Sequence, residues 1–260
     1  CQQNIPARMK AHDAALWTQD AAGQQEIKHR LGWLDAPYTG EDAITELYDF
    51  VDGCLADGYT HALLLGMGGS SLAPEVLARS FVATNDKRQG LDLAVLDSTH
   101  PEQVKSALQR SPVEKTLYIV ASKSGSTAEV QAFLDYFWHV AHDTLGDECG
   151  KHFIAITDPA SPVQKYADLH GFRKVFLADP MVGGRFSALI AFGLVPAALI
   201  GVDLHRYLKI ARQMAEQCQP EVAPARNPGL VLGYLMGQAS LQGIDKLTIL
   251  ADPEIETIGS

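Results

Sequence analysis

The chain has 260 residues, of which 47% are hydrophobic, and this is enough apolar material for one large domain or two small ones. Its 21 basic and 31 acidic residues give a net charge of −10, which argues against nucleic acid and anionic membrane surfaces as partners. A small phosphorylated ligand remains compatible with this charge, because backbone N–H groups bind phosphate without net positive charge.

The cysteines and the chain ends bear on where the protein works. Cys1, Cys54, Cys149 and Cys218 lie far apart and form no C-x-x-C pair, so we expect reduced thiols in a cytoplasmic protein. The longest apolar run, residues 188–200, is too short to span a bilayer. We expect the chain to be a piece of a longer polypeptide.

Residues 1–40 are predicted to form a helical segment. One helix is predicted over residues 6–30, where good helix formers occur without an internal proline, and a connection over 32–40. The polar surface of that helix indicates that it packs on a neighbouring element. A second helix is predicted over 41–55, and Gly58 should close it at the C-terminal position where glycine is favoured.

Strands and helices alternate through the middle of the chain. Continuous apolar runs predict five strands, over residues 61–65, 91–96, 116–121, 153–157 and 174–177. Helical patterns lie between them, over residues 73–80, 102–109, 128–145 and 161–169. This alternation is typical of a doubly wound parallel sheet with helices on both faces, a three-layer α/β/α fold.

The last part of the chain is predicted to add helices to this fold. Three apolar helices follow the sheet, over residues 187–200, 204–217 and 230–242, and a strand-like run occupies 246–250. We assign residues 41–245 to the sheet domain with its flanking helices. Residues 246–260 are interpreted as the start of a second, truncated α/β domain.

Residues 122–127, with the sequence SKSGST, are the most informative stretch of the chain. They separate the third predicted strand from a helix, so free N–H groups and the helix dipole are available to an anion there. Four hydroxyl groups and Lys123 can donate to phosphate oxygens, whereas a plain helix cap would need only one hydroxyl. We therefore interpret this segment as a phosphate site.

Two further segments indicate a polar ligand. Residues 66–71 (GMGGSS) depart from the dinucleotide motif G-x-G-x-x-G, and we interpret them as a close approach of backbone to a ligand, with a plain glycine turn as the alternative. Residues 183–187 (GGRFS) precede an apolar helix. Arg185 needs an anionic partner there, either a structural carboxylate or a substrate oxygen that gains charge during a reaction.

A metal site is not expected. His139 and His142 share one predicted helix, but no third ligand accompanies them in the sequence, and surface histidines are the commoner explanation.

The three segments resemble the phosphoglucose isomerase family. The family motifs G-x-G-G-S, S-K-[ST]-x-[ST]-T and V-G-G-R-[FY]-S match residues 66–70, 122–127 and 182–187 in order and in spacing. The first two motifs are shared with sugar-isomerase (SIS) domains in general, and the third is more specific to the isomerases. The chain is most similar to the isomerase half of bifunctional transaldolase/phosphoglucose isomerase proteins.

The resemblance implies a reaction and a set of residues. The reaction is the aldose–ketose isomerisation of glucose 6-phosphate and fructose 6-phosphate through an enediolate, without a metal or an organic cofactor. Arg185 matches the family arginine that stabilises charge on the enediolate. The residues implied in substrate binding are Gly69, Ser70, Ser122, Lys123, Ser124, Thr127 and Gly184.

The resemblance also implies groups that the chain does not match. The family uses a glutamate as the base, and a histidine and a lysine for ring opening and positioning, and none of these three motifs is found here. We therefore expect this piece to be inactive alone. Its implied partners are a sugar phosphate, a second copy of the parent in a homodimer and a fused transaldolase domain. The alternative function is a non-catalytic SIS module that binds a sugar phosphate and regulates another protein.

Overall fold

A computed structural model describes residues 4–81, 88–253, 255 and 258. Within them the strands are β1 (His61–Gly66), β2 (Asp92–Leu96), β3 (Thr116–Ala121), β4 (Phe153–Thr157) and β5 (Lys174–Leu177). These strands form one sheet in the order β2-β1-β3-β4-β5, and every pairing is parallel. All five agree with the predicted strands to within one residue at each end.

Helices surround the sheet. In the described residues they are α1 (Ile5–Lys10), α2 (Ala21–Lys28), α3 (Ala36–Thr39), α4 (Ile44–Ala56), α5 (Leu72–Ser80), α6 (Pro101–Arg110), α7 (Ala128–Leu145), α8 (Pro162–Leu169), α9 (Ala191–Leu199), α10 (Leu204–Gln217) and α11 (Pro228–Leu241). Short 3-10 helices fill several connections, including Gly68–Ser70 and Gly184–Leu189. Among the helices described, none combines the length and the apolar character needed to cross a membrane.

The central strands are buried on both faces, and their alternate residues enter different hydrophobic clusters. In β3, Leu117 and Ile119 belong to the cluster that includes side chains of α4, α5 and α9. Tyr118 and Val120 belong to the opposite cluster, with side chains of α6, α7 and α8. Helices therefore cover both faces of the sheet, and the predicted three-layer α/β/α fold is confirmed.

The N-terminal segment is broken where the sequence pattern predicts one helix over residues 6–30. His12 adopts a positive φ of 53°, and Asp13 then caps a new 3-10 turn by accepting a hydrogen bond from the N–H of Ala15. Asp20 caps α2 in the same way through the N–H of Gly23. The prediction of a single helix is wrong, because these aspartates bind local N–H groups that a continuous helix would need.

The C-terminal part also departs from the predictions. Helix α9 begins at Ala191, four residues later than predicted, because the preceding turn is 3-10 helix. The predicted strand over residues 246–250 is wrong, since residues 244–252 have no regular structure and their backbone groups find no strand partner among the described residues. Other parts of the proposed second domain (residues 254, 256–257 and 259–260) lie outside the described residues.

The thiols that the structure describes are free. Cys54 and Cys149 are buried, and Cys218 is partly exposed. Burial raises the pKa of both buried thiols to about 11, so they stay protonated and unreactive at neutral pH. Cys1 lies outside the described residues.

The half-buried His152 should make the stability of the protein depend on pH. Its Nδ1 donates to the carbonyl oxygen of Thr116 at 3.1 Å, and its ring packs edge-on against Tyr59. Burial lowers the pKa of His152 below the ordinary value of 6.5, so the folded protein favours the neutral ring. As the pH falls through 6.5, the unfolded chain takes up the proton first, and the free energy of unfolding should decrease.

Urea unfolding at about pH 7 and about pH 5 tests this assignment. Other groups titrate in the same window, so the wild type is compared with His152→Asn, whose amide keeps a donor for Thr116. We expect the wild type to lose more stability than the variant over this range. Equal losses in the two proteins would show that His152 is not a source of the pH dependence.

Candidate functional site

The sheet forms a crevice at the carboxyl ends of β1 and β3. The chain runs from β1 to β2 on one side and returns to β3 on the other side, so the two connections diverge at this point. Gly66 at the end of β1 pairs with Ala121 at the end of β3. The segments that follow, residues 67–71 and 122–127, therefore leave the sheet side by side. Open parallel sheets bind ligands at such a place.

Residues 122–127, called the phosphate loop after their predicted role, are closed by their own hydrogen bonds. The Oγ of Ser124 accepts a hydrogen bond from the N–H of Ser126 at 3.2 Å and lies 2.9 Å from the Oγ of Ser126. Gln131 of α7 donates its side-chain amide to the carbonyl oxygen of Gly125 at 3.1 Å. Gly125 has a φ of 67°, and a Cβ there would lie 2.9 Å from the Cβ of Ser161, so this turn requires glycine.

The first turn of α7 has no side-chain cap. Thr127 occupies the N-cap position, but its Oγ1 accepts a hydrogen bond from the Oγ of Ser122 at 3.3 Å. Side-chain caps are present on α2, α6, α8, α10 and α11, as where Ser161 accepts the N–H of Gln164 in α8 at 3.0 Å, and they are absent from the remaining described α-helices. The first N–H groups of α7 are therefore free of a side-chain acceptor, and they can bind an anion.

The predicted phosphate-binding side chains differ in their exposure. Ser124 is exposed and Thr127 is partly exposed, whereas Ser122 is only 1% exposed and supports Thr127 from inside. Lys123 donates to the carboxylate of Asp158 at 2.7 Å and to the carbonyl oxygen of Pro180 at 3.1 Å. An ammonium group has three donors, so Lys123 retains one N–H for a ligand.

The Gly184–Leu189 turn packs directly against the Gly68–Ser70 turn. A Cβ on Gly69 would lie 2.4 Å from the carbonyl carbon of Gly184 and 2.8 Å from the backbone nitrogen of Arg185. The Oγ of Ser187 lies 2.6 Å from the carbonyl oxygen of Gly184 and 3.2 Å from that of Gly69. Ser70, also a predicted site residue, is 8% exposed. Only glycine at position 69 permits the two backbones to approach this closely.

Arg185 is exposed, and within the described residues its side chain forms no hydrogen bond or ion pair. A structural carboxylate was one of the two partners predicted for Arg185, and none contacts it in the described residues. The need for a partner was argued from the cost of burying an unpaired guanidinium group. Because the group is exposed to solvent, it does not pay this cost. It is available to an anionic ligand.

The N-terminal segment supports the turn that carries Arg185. The N–H of Gly32 donates to the carbonyl oxygen of Met181 at 3.0 Å. The ring of Trp33 stacks on that of Phe186, with centroids 5.6 Å apart. These contacts come from the predicted connection over residues 32–40, and they join it to the turn that carries Arg185.

Three residues that the motifs did not reveal hold the phosphate loop from the side of β4. Thr157 contacts the carbonyl oxygen of Ser122 at 2.7 Å, and Asp158 donates its N–H to the carbonyl oxygen of Lys123 at 3.0 Å. Ser161 follows them and packs under Gly125. The sequence could have indicated these residues, because they are polar and follow the end of a predicted strand. Neighbouring parallel strands end at the same edge of the sheet, so such residues lie near the site.

Two other features of the described structure do not involve the predicted site residues. Within the described residues no cluster of histidine, cysteine, aspartate or glutamate side chains could hold a metal ion. The Nδ1 of His139 lies 2.6 Å from the carbonyl oxygen of Asp135 in its own helix. A cavity of about 390 Å³ beside β5 is lined by α4 and α9, and it contains none of the predicted site residues.

The chain is similar to known proteins over most of its length. Residues 50–249 match the family model described as phosphoglucose isomerase. A glucose-6-phosphate isomerase from Carboxydothermus hydrogenoformans is 32% identical over 76% of this chain and 44% of the relative. One from Thermus thermophilus is 36% identical over 72% of this chain and 43% of the relative. The chain thus spans less than half the length of these relatives.

Two solved structures share the fold of this chain. A hypothetical protein, TT0462, from Thermus thermophilus has a TM-score of 0.75 and 31% identity, over 91% of this chain and 54% of that chain. A glucose-6-phosphate isomerase from Chlamydia trachomatis has a TM-score of 0.57 and 23% identity, over 80% of this chain and 37% of that chain, and it shows the shared fold. The resemblance carried by the three motifs is confirmed, and the chain belongs to the phosphoglucose isomerase family.

Proposed function

We propose that this chain supplies the phosphate-binding and charge-stabilising part of a site that interconverts glucose 6-phosphate and fructose 6-phosphate. The observation that carries the proposal is the combination of an uncapped helix N-terminus at the phosphate loop with the exposed, unpaired Arg185. Lys123 links the two, because it belongs to the loop and bonds to Pro180, which precedes the Gly184–Leu189 turn. The relatives named glucose-6-phosphate isomerases support the same activity.

Each element has a defined role in the proposed reaction. The phosphate loop binds the phosphate group, which does not react, and this binding holds the sugar in place for chemistry at C1 and C2. Removal of a proton next to the carbonyl puts negative charge on the enediolate oxygens, and Arg185 stabilises that charge. Gly69 and Ser70 contact the sugar or its phosphate. A general base completes the reaction, and no motif of this chain matches the family glutamate.

The alternative, a regulatory sugar-phosphate module, is less well supported. A sensor needs a phosphate site but has no use for a cation that stabilises a developing charge. Arg185 is free of protein partners in the described residues, and this favours catalysis over sensing.

The domain limits remain a proposal of the same kind. Residues 1–40 are proposed as a helical extension of the domain formed by 41–245, and the contact between Gly32 and Met181 supports this. Residues 246–260 are proposed as the start of another domain. The homodimer and the transaldolase fusion stay predictions.

The first prediction concerns phosphate binding. Replacing both Ser124 and Thr127 by alanine should weaken binding of fructose 6-phosphate by about 1–3 kcal/mol, because hydrogen bonds to a charged group are lost. Titration calorimetry on the 260-residue chain measures this. Thr144→Ala is the matched control, since it removes an exposed hydroxyl from the other end of α7. Unchanged affinity in the double variant would exclude a role of these hydroxyls.

The second prediction separates Arg185 from the phosphate loop. A phosphorylated sugar acid carries a carboxylate where the enediolate gains charge, so Arg185→Ala should weaken its binding about tenfold more than that of fructose 6-phosphate. Arg185→Lys should restore part of the difference, because lysine lacks the planar fork of donors. Arg206→Ala, which removes another exposed arginine, is the control. Equal losses for both ligands would remove Arg185 from the charge-stabilising role.

The third prediction concerns turnover. The chain alone should bind fructose 6-phosphate but convert it at a rate close to background, since loss of a general base typically costs about 10²–10⁴-fold. A coupled assay for glucose 6-phosphate measures this. Turnover of about 1–10³ per second, usual for enzymes, would show that the chain contains its own base.

A further inference from the structure

We propose that Thr157 is a positioning residue for the phosphate loop. Its buried hydroxyl holds the carbonyl group of Ser122 towards the sheet, so that the loop presents donors, and not this carbonyl oxygen, to a phosphate. The inference rests on the proposed function, because it assigns a determinant of phosphate binding at the same site. No motif of the sequence includes Thr157.

The geometry joins four hydroxyl or backbone groups at the end of β4. Thr157 is the last residue of the strand and is fully buried. Its Oγ1 lies 2.7 Å from the carbonyl oxygen of Ser122 and 2.7 Å from the Oγ of Ser161. The Oγ of Ser161 also accepts the N–H of Gln164 at 3.0 Å.

Chemical valence fixes the direction of these hydrogen bonds. A carbonyl oxygen can only accept, and the carbonyl oxygen of Ser122, at 2.7 Å, is nearer to the hydroxyl of Thr157 than that of Lys123, at 3.4 Å, so the single hydroxyl hydrogen goes to Ser122. Ser161 must then donate its own hydrogen to the Oγ1 of Thr157. Gln164 donates to Ser161, and every hydrogen in the series has one acceptor. The series therefore runs in one direction, from the first turn of α8 to the first carbonyl of the phosphate loop.

The start of the phosphate loop is held at three successive points by the end of β4 and the residue that follows it. The N–H of Ser122 donates to the carbonyl oxygen of Ile156 at 3.1 Å, and the N–H of Asp158 donates to that of Lys123 at 3.0 Å. Thr157 supplies the bond between them, to the carbonyl of Ser122. Without its hydroxyl, this buried carbonyl loses its donor, and the peptide between Ser122 and Lys123 is free to turn. A turned carbonyl would direct negative charge at the phosphate.

The test uses conservative substitutions in the full 260-residue chain. Thr157→Val keeps the shape of the side chain and removes the hydroxyl. We expect its affinity for inorganic phosphate and for fructose 6-phosphate to fall by about tenfold or more, the effect of one lost hydrogen bond to a buried group. Thr157→Ser restores the hydroxyl and should restore the affinity, even if loss of the methyl group lowers the melting temperature.

Thr116→Val is the matched control. Thr116 is also a fully buried strand residue, and its Oγ1 donates to the carbonyl oxygen of Pro112 at 2.7 Å, at the opposite end of the sheet. We expect this variant to melt at a lower temperature with unchanged phosphate affinity. If Thr157→Val behaves in the same way, its role is structural only and the proposal is overturned.

Two further measurements keep the result unambiguous. If Thr157→Val does not fold, Thr157→Ala removes the same hydroxyl with a smaller side chain and should also weaken phosphate binding; unchanged binding there contradicts the proposal. If the wild type binds neither ligand, the proposed function fails, and amide hydrogen exchange decides the inference alone. Exchange in residues 122–127 should then be faster in Thr157→Val than in Thr116→Val, and equal rates would overturn it.

Discussion

The approach of two backbones at Gly69 and Gly184 determines what the candidate site can do. A single methyl group on Gly69 would overlap the carbonyl carbon of Gly184 and the nitrogen of Arg185. This contact sets the turn that carries Arg185 against the segment that follows β1. Because β1 ends beside β3, a cation is thereby held at the sheet edge that also carries the phosphate loop. Without the contact, the turn would not hold Arg185 at this edge, and the proposed stabilisation of charge on the sugar would be lost.

Lys123 couples the stability of the site to its proposed function. Its ammonium group is partly buried and joins the phosphate loop to Asp158 and to Pro180, so three chain segments meet at one side chain. Asp158 and Thr157 come from the neighbouring strand and also bond to the loop backbone. The phosphate loop is thus pre-organised by β4, and less conformational freedom is lost when a ligand binds.

The sheet could be predicted because its strands are continuous apolar runs, and burial on both faces demands this pattern. The helix breaks near Asp13 and Asp20 were not predicted, because the prediction rested on the content of helix-forming residues. A single aspartate that caps a new turn hardly changes that content. The prediction of a strand over residues 246–250 was wrong, because an apolar run forms a strand only where another strand pairs with it. Its Leu250 is 94% exposed.

For the candidate site too, the sequence predicts features of a single segment but not features that depend on packing between distant segments. Glycine, serine and lysine at the end of a strand predict a binding loop from the sequence alone. The burial of Ser122 and the exposure of Arg185 depend on packing between distant segments, so the sequence could not supply them. Thr157 was missed for the same reason, since the carbonyl that it binds lies 35 residues earlier in the chain.

A crystal structure of the chain with fructose 6-phosphate is the most direct test of this account. We expect the phosphate against the first N–H groups of α7 and the hydroxyl groups of Ser124 and Thr127, with Lys123 still bound to Asp158. The carbonyl end of the sugar should lie towards Arg185. Phosphate bound at another part of the chain, or Arg185 paired with a protein carboxylate while the ligand is bound, would contradict the account.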